Sequence, residues 1–222
     1  MEKLRNEFLH FCLKLKTVLI FSMKSRSIVL KGIKYIPFSS VKVFLLKSLF
    51  GYTIGHNVKI GKSIINCNKV TIGNNVKIAD NNVFSCGELN IGSNTTIHSG
   101  NIFIGKSKFS IGNNSRIINN HYFDLWNNIS IGNNTWIAGK GSQFWTHGSI
   151  HTKTNKKDLS ISIKDNVYVG SSVCFAPGVK IESINLIGLG SVVTDSFIQS
   201  NCIIAGNPVK IIKENIDWRT NW

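Results

Sequence analysis

The apolar residues of this chain follow an unusual spacing. From residue 54 onward an aliphatic side chain returns at every sixth position, as at Ile54 and Ile60 and again at Val173 and Val179, with small or polar residues between. A helix needs an apolar stripe at three-to-four spacing, and a half-buried strand alternates with period two, so neither template fits. A six-residue unit of one short strand and one turn does fit. Three such units close a triangular coil whose aliphatic side chains point inward and stack on the next coil about 4.8 Å away. Gly and Asn then occupy turn positions where positive φ is favoured.

A longer repeat lies over the short one. IGHNVKI starts at 54, IGNNVKI at 72, IGSNTTI at 91, IGNNSRI at 111, IGNNTWI at 131 and the degenerate IKDNVYV at 163. The steps are 18, 19, 20, 20 and 32 residues, about three hexads per turn. Self-similarity at that period predicts an all-β solenoid, in which each coil buries its neighbour's apolar face. Only the 32-residue step is out of period, and it contains GSQFWTHGSIHTKTNKKDLS, residues 141–160.

With this repeat the chain resembles the hexapeptide-repeat acyltransferases over residues 51–213. The stretch from IKDNVYV at 163 to IIKE at 214 is similar to the terminal coils of the sugar O-acetyltransferase branch, and AGNPVKIIK at 205–213 to that branch's tail motif at the coenzyme A site. The resemblance implies a left-handed parallel β-helix, acetyl-CoA as co-substrate, no metal, and a homotrimer with its active site between adjacent chains. It also implies that Ser171, Thr194, Ala205, Gly206 and Pro208 line the pantetheine arm, while Lys210 and Lys213 meet the 3′-phosphate region. Relatives often carry arginine at the last two positions; lysine keeps the charge and loses the bidentate fork.

Acetyl transfer from a thioester to a hydroxyl needs a base, and histidine suits it because its pKa lies near operating pH. His147 comes sixteen residues after Ile131, at the end of a coil, where the resembling family places its catalytic histidine. It is the expected general base, activating the hydroxyl for direct attack on the thioester. His151 lies four residues further on, either solvated or touching the acceptor. One coil earlier, NNHYFDLWNN (119–128) brings Asp124, which either orients an acceptor hydroxyl or the base or sits in a solvated turn. Trp126, Phe144 and Trp145 are sugar platforms or packing residues. Lys153, Lys156 and Lys157 in the loop are either solvated or face an anionic acceptor.

Charge adds a further element. The 26 basic residues against 11 acidic ones give a formal +15. Residues 1–50 hold ten basic side chains against Glu2 and Glu7, a local excess of 10 − 2 = 8. Residues 1–23 space Leu4, Phe8, Phe11, Leu15, Val18 and Leu19 as an amphipathic helix, and 38–50 look similar. Two readings stay open for this extension: helices that cap the first coil, or peripheral contact with anionic lipid. The apolar run TVLIFSM (17–23) is far shorter than the roughly 18–20 residues of a spanning helix, so a cytoplasmic protein is expected, free or on the inner face of the membrane.

The five cysteines lack zinc-type spacing and are expected as buried thiols. Nucleic acid is not the expected partner, because no binding motif accompanies the charge. The expected organisation is a basic helical extension at 1–50, a β-helix acyltransferase domain at 51–213 with a loop at 148–160, and a short tail at 214–222. The expected activity is O-acetylation of a sugar hydroxyl during synthesis of a bacterial surface polysaccharide such as a capsule, O-antigen or exopolysaccharide. N-acylation of an amino group on a nucleotide sugar and a non-catalytic binding or scaffold role remain as alternatives.

Overall fold

The structure, a computed structural model, describes residues 23–148 and 158–220. The six-residue period becomes three parallel sheets wrapped around one core. The first sheet has seven strands, among them Lys69–Ile72, Glu88–Ile91 and Lys108–Ile111. A second of nine includes Lys77–Ile78, Thr96–Ile97 and Arg116–Asn119, and a third of seven includes Val83–Ser85, Ile102–Gly105 and Tyr122–Leu125. Each coil visits the sheets in that order. We call the turn from first to second sheet the first corner, that from second to third the second corner, and that from third back to first the third corner.

Register is strict from coil to coil. Ile54 pairs with Ile72, Ile91 with Ile111, and Ile111 with Ile131. The inward positions bury completely, and the third sheet carries a column of Phe84, Phe103, Phe123, Phe144 and Phe175. Successive rings lie parallel at centroid distances of 4.5, 4.4, 4.5 and 4.7 Å. Dispersion over many such contacts and the removal of apolar area from water hold the solenoid together.

The out-of-period step leaves this register intact. Ile129 pairs directly with Ile161, and Phe144 with Phe175. Of the excess of 32 − 20 = 12 residues, one is taken up by a bulge where Asn119 pairs with Lys140, and the other 11 fall at the third corner, between Phe144 and Ile161.

The first corner refines the expectation for Gly and Asn. Asn57, Asn75, Asn94, Asn114, Asn134 and Asn166 take positive φ between 51° and 58°. The glycine of the repeat does something else: a Cβ at Gly132 would lie 2.6 Å from the backbone nitrogen of Asp165, so it permits close coil approach. Side-chain amides continue the ladder, with the His56 N–H donating to Asn74 Oδ1 at 3.0 Å and the Asn113 N–H to Asn133 Oδ1 at 2.8 Å.

Among the described residues two helices precede the coils: α1 (Met23–Tyr35) and α2 (Ser39–Phe50). Gly51 ends α2 in the left-handed conformation, at φ 69°, with its N–H on the Lys47 carbonyl. Leu30, Leu46 and Leu49 join the core, while Lys42 Nζ donates to the Gly61 carbonyl and Ser39 Oγ accepts from the Ile60 N–H. These contacts cover the apolar end that the first coil would otherwise expose. The amphipathic stretch expected at 1–23 lies almost wholly outside the described residues. Among the described residues no helix is long and apolar enough to cross a membrane.

At the other end Ile203–Gly206 and Val209–Lys213 form an antiparallel hairpin on the second sheet. Of the cysteines, Cys67, Cys86 and Cys202 are buried free thiols and Cys174 is partly buried.

Candidate active site at the third corner

Strand Tyr122–Leu125 alternates, with Phe123 and Leu125 inward and Asp124 outward. An outward carboxylate would ordinarily be solvated. Here the next coil folds over it, and the Asp124 residue is only 2% exposed. Its Oδ2 receives the Thr146 backbone N–H at 2.9 Å and lies 3.1 Å from Thr146 Oγ1, whose hydroxyl also reaches the Asp124 carbonyl at 2.7 Å. Thr146 is itself buried and receives the Asn127 N–H on Oγ1 at 2.9 Å, while Asn127 Nδ2 donates to its carbonyl at 2.8 Å. Burial of a carboxylate requires such compensation.

His147 is held by this cluster. Its Nδ1 is 2.7 Å from Asp124 Oδ2, and its side chain is half exposed. With the carboxylate as acceptor, Nδ1 donates and Nε2 keeps its lone pair. The indole of Trp126 leans on the imidazole at 5.6 Å between centroids, and Lys106 Nζ sits 4.6 Å from the centre of that indole. A base oriented by a buried acid, open on its other nitrogen, is an arrangement able to accept a proton from a bound hydroxyl.

The other expected residues distribute as follows. Trp145 is partly exposed, donates Nε1–H to Gln143 Oε1 at 3.0 Å and packs on Tyr122. Phe144 belongs to the buried aromatic column, so as a sugar platform it is corrected: its position in the strand points inward. A solvated turn is likewise corrected for Asp124, which the following coil covers. His151 and the loop lysines Lys153, Lys156 and Lys157 lie outside the described residues.

His121, in the same segment, is a core residue at the second corner; its Nδ1 accepts the Ser142 N–H at 3.0 Å, and burial pushes its pKa down to about 4. Thr146 and Asn127 escaped the sequence reading. Their roles depend on one coil closing over another, a relation visible only once the coil boundary is known to a residue.

The residues expected along coenzyme A fall mainly elsewhere. Ala205 and Gly206 continue the pairing of Leu186–Ile203 and Ile187–Ile204, which sets them level with Gly188 and Leu189 at the second corner. Ser171 lies at the same corner. That ridge is made of small residues: a Cβ at Gly188 would stand 2.8 Å from the Ala205 Cβ, and one at Gly139 would strike Ser171 Oγ. Pro208 turns the hairpin, with Lys210 and Lys213 exposed on its return strand. Thr194 instead follows Val193, two coils beyond Phe144, on the third corner. Within one chain, His147 and the small-residue ridge are separated by the width of the third sheet. Among the described residues no cluster of His, Cys, Asp and Glu is suited to a metal ion.

No protein-family model matches the sequence. A galactoside O-acetyltransferase of Escherichia coli is 37% identical over 68 residues, a match spanning 31% of this chain and 33% of that enzyme. The chain thus covers about a third of the length of that curated relative. A solved structure of AntD, an N-acyltransferase from Bacillus cereus, superposes with a TM-score of 0.53 at 22% identity, over 80% of this chain and 89% of that one; this likeness is one of fold. Repeat, fold and local identity agree: the chain is a hexapeptide-repeat β-solenoid, similar over about a third of its length to an acetyltransferase.

Proposed function

We propose that the protein transfers an acetyl group from acetyl-CoA to a sugar hydroxyl, with His147 as general base. One observation carries the proposal: a half-exposed histidine whose Nδ1 is fixed at 2.7 Å by a buried carboxylate, at the corner from which the chain extrudes its loop. Nε2 takes the proton of the acceptor hydroxyl as the oxygen attacks the thioester carbonyl. The tetrahedral intermediate then collapses, the C–S bond breaks, and the imidazolium returns the proton to the departing thiolate. Asp124 keeps the ring in the donating tautomer at Nδ1 and offsets the charge that forms on it.

The small-residue ridge of Ser171, Ala205 and Gly206 suits a thin pantetheine arm, with Pro208, Lys210 and Lys213 beyond it, and Thr194 at the neighbouring corner. Because that ridge and His147 occupy different corners, a homotrimer that sets one chain's third corner against another chain's second corner would join them. Trp145 is assigned to the acceptor side, and so is His151. The acceptor class we favour is a bacterial surface polysaccharide or its precursor, modified in the cytoplasm or at the inner face of the membrane.

The test is acetyl transfer from acetyl-CoA to a panel of sugars and glycan precursors, following free thiol and product mass. Wild type and His151→Ala should turn over, and His147→Ala should not. Near-normal turnover by His147→Ala removes the base assignment; absence of coenzyme A binding by the wild type removes the enzyme.

A further inference from the structure

The third corner does not end at His147. Two to four coils toward the N-terminus it opens into a groove of about 690 Å³, lined by Arg26 at one end, Lys106 at the other, and Asn66, Asn68 and Ser85 between them. Gly87 forms part of its lining, and a Cβ there would lie 2.2 Å from the Lys106 carbonyl oxygen, so glycine lets the two coils approach beneath the groove.

Among the described residues neither cation has an acidic partner. Arg26 donates to Asn66 Oδ1 at 2.9 Å, to the Tyr52 hydroxyl at 2.8 Å and to the Cys67 carbonyl at 2.7 Å, all neutral acceptors. Its guanidinium is anchored against the Phe50 ring, 4.9 Å from the centroid, so its position is set before any ligand arrives. Lys106 rests on Trp126, and among the described residues no carboxylate pairs with it. The nearest acid on the adjoining strand, Glu88, is shared by Lys69 at 3.8 Å and Lys108 at 3.4 Å. A groove held open by an anchored guanidinium, with amides and a hydroxyl along it, is built for an anion bearing many hydrogen-bonding groups.

Its direction links it to the site above. Lys106 touches Trp126, and Trp126 touches His147. From the coil of Asn68 to that of His147 are four coil spacings, about 19 Å at about 4.8 Å each. We propose that this groove, from Arg26 to Lys106, binds an acidic stretch of the glycan acceptor, carrying carboxylate or phosphate groups, several sugar units from the hydroxyl presented to His147. The proposal names the acceptor class for the activity argued above and rests on that reading for the direction of the chain. Binding in the groove can be measured without catalysis.

The experiment titrates the full-length protein by calorimetry with three probes: hexagalacturonate, a glycerol phosphate hexamer and maltohexaose. An acidic probe should bind, more weakly as salt is raised, and maltohexaose should not. The carboxylate and phosphate arms tell which anion the groove prefers. Lys106→Glu and Ser85→Asp, which place negative charge at either position, should each weaken binding of the acidic probe about tenfold or more. Lys106→Gln should weaken it less. Circular dichroism melts confirm that the variants fold. Equal binding of acidic and neutral probes overturns the proposal, as does binding that survives both charge insertions. So does a result in which these substitutions raise the KM for acetyl-CoA and leave acidic-probe binding unchanged, which would assign the cations to the nucleotide. Loss of turnover in His147→Ala bears on the base alone and leaves these titrations as they are.

Discussion

The first and third corners of the solenoid are made by the same chain at the same period, and they look unlike each other. At the first corner six asparagines repeat one backbone conformation, and their neighbours pass hydrogen bonds from coil to coil. At the third corner the first two coils carry the buried Cys67 and Cys86, and the next three present Lys106, Trp126 and His147. Both corners close equally well, because closure is fixed by inward residues such as Phe123 and Phe144. The outward residues of a corner are then free to vary. Where they repeat they serve the fold, and where they diverge they are available for chemistry.

Four substitutions or conditions test that division. The largest effect belongs to the third corner: His147→Ala should lower acetyl transfer by about 10²- to 10⁴-fold. Thr146 keeps Asp124 satisfied without the imidazole, so the melting temperature should stay close to wild type. A large drop in melting temperature would show that this corner is as structural as the first.

Acid comes next. His121 ionises near 6.5 in the unfolded chain and near 4 in the fold, because burial disfavours its charged form. The unfolded state therefore binds the proton first as pH falls, and stability is lost between pH 6.5 and 4. The full loss is about 3 kcal/mol, read as denaturation midpoints at pH 7.5 and 4. His121→Gln should flatten the difference between those two midpoints relative to wild type.

The first corner should respond in stability and not in rate. Gly132→Ala forces a methyl group against Asp165 Oδ1, 2.2 Å away, and should cost about 1–3 kcal/mol in urea denaturation. Asn134→Ala places an ordinary side chain at φ 51° and should cost about 1 kcal/mol, while Asn134→Gly should be close to neutral. Loss of turnover per folded molecule in either alanine variant would erase the distinction between the two corners.

How far the sequence could be read follows the same line. The six-residue period exposed the solenoid, because inward positions repeat whatever the corners do. His147 stood out because it falls at the end of a coil beside the single step that breaks period. Its partner was harder. Asp124 is outward by strand alternation, and only the overlying Thr146 and His147 of the next coil make it a buried acid. Phe144 was ambiguous because a one-residue change of phase moves a side chain from the outer surface into the core. Helix α1 carries Ser25, Ser27 and Gly32 among its apolar residues, and its packing on the first coil is set by tertiary contacts such as those of Arg26 and Leu30. The groove at Arg26 joins residues some 40 positions apart in the chain, a distance over which no local pattern signals contact.

The aromatic column carries one more consequence. It runs from Phe123 through Phe144 to Phe175 with even spacing, although 31 residues separate the last pair and 21 the first. The scaffold therefore keeps no memory of how much chain was let out between them. Such a site works as a socket: segments of other lengths and compositions can be fitted after His147 while the ring stack stays in place. That segment could be rewritten wholesale, with the histidine and its carboxylate waiting unchanged at the rim.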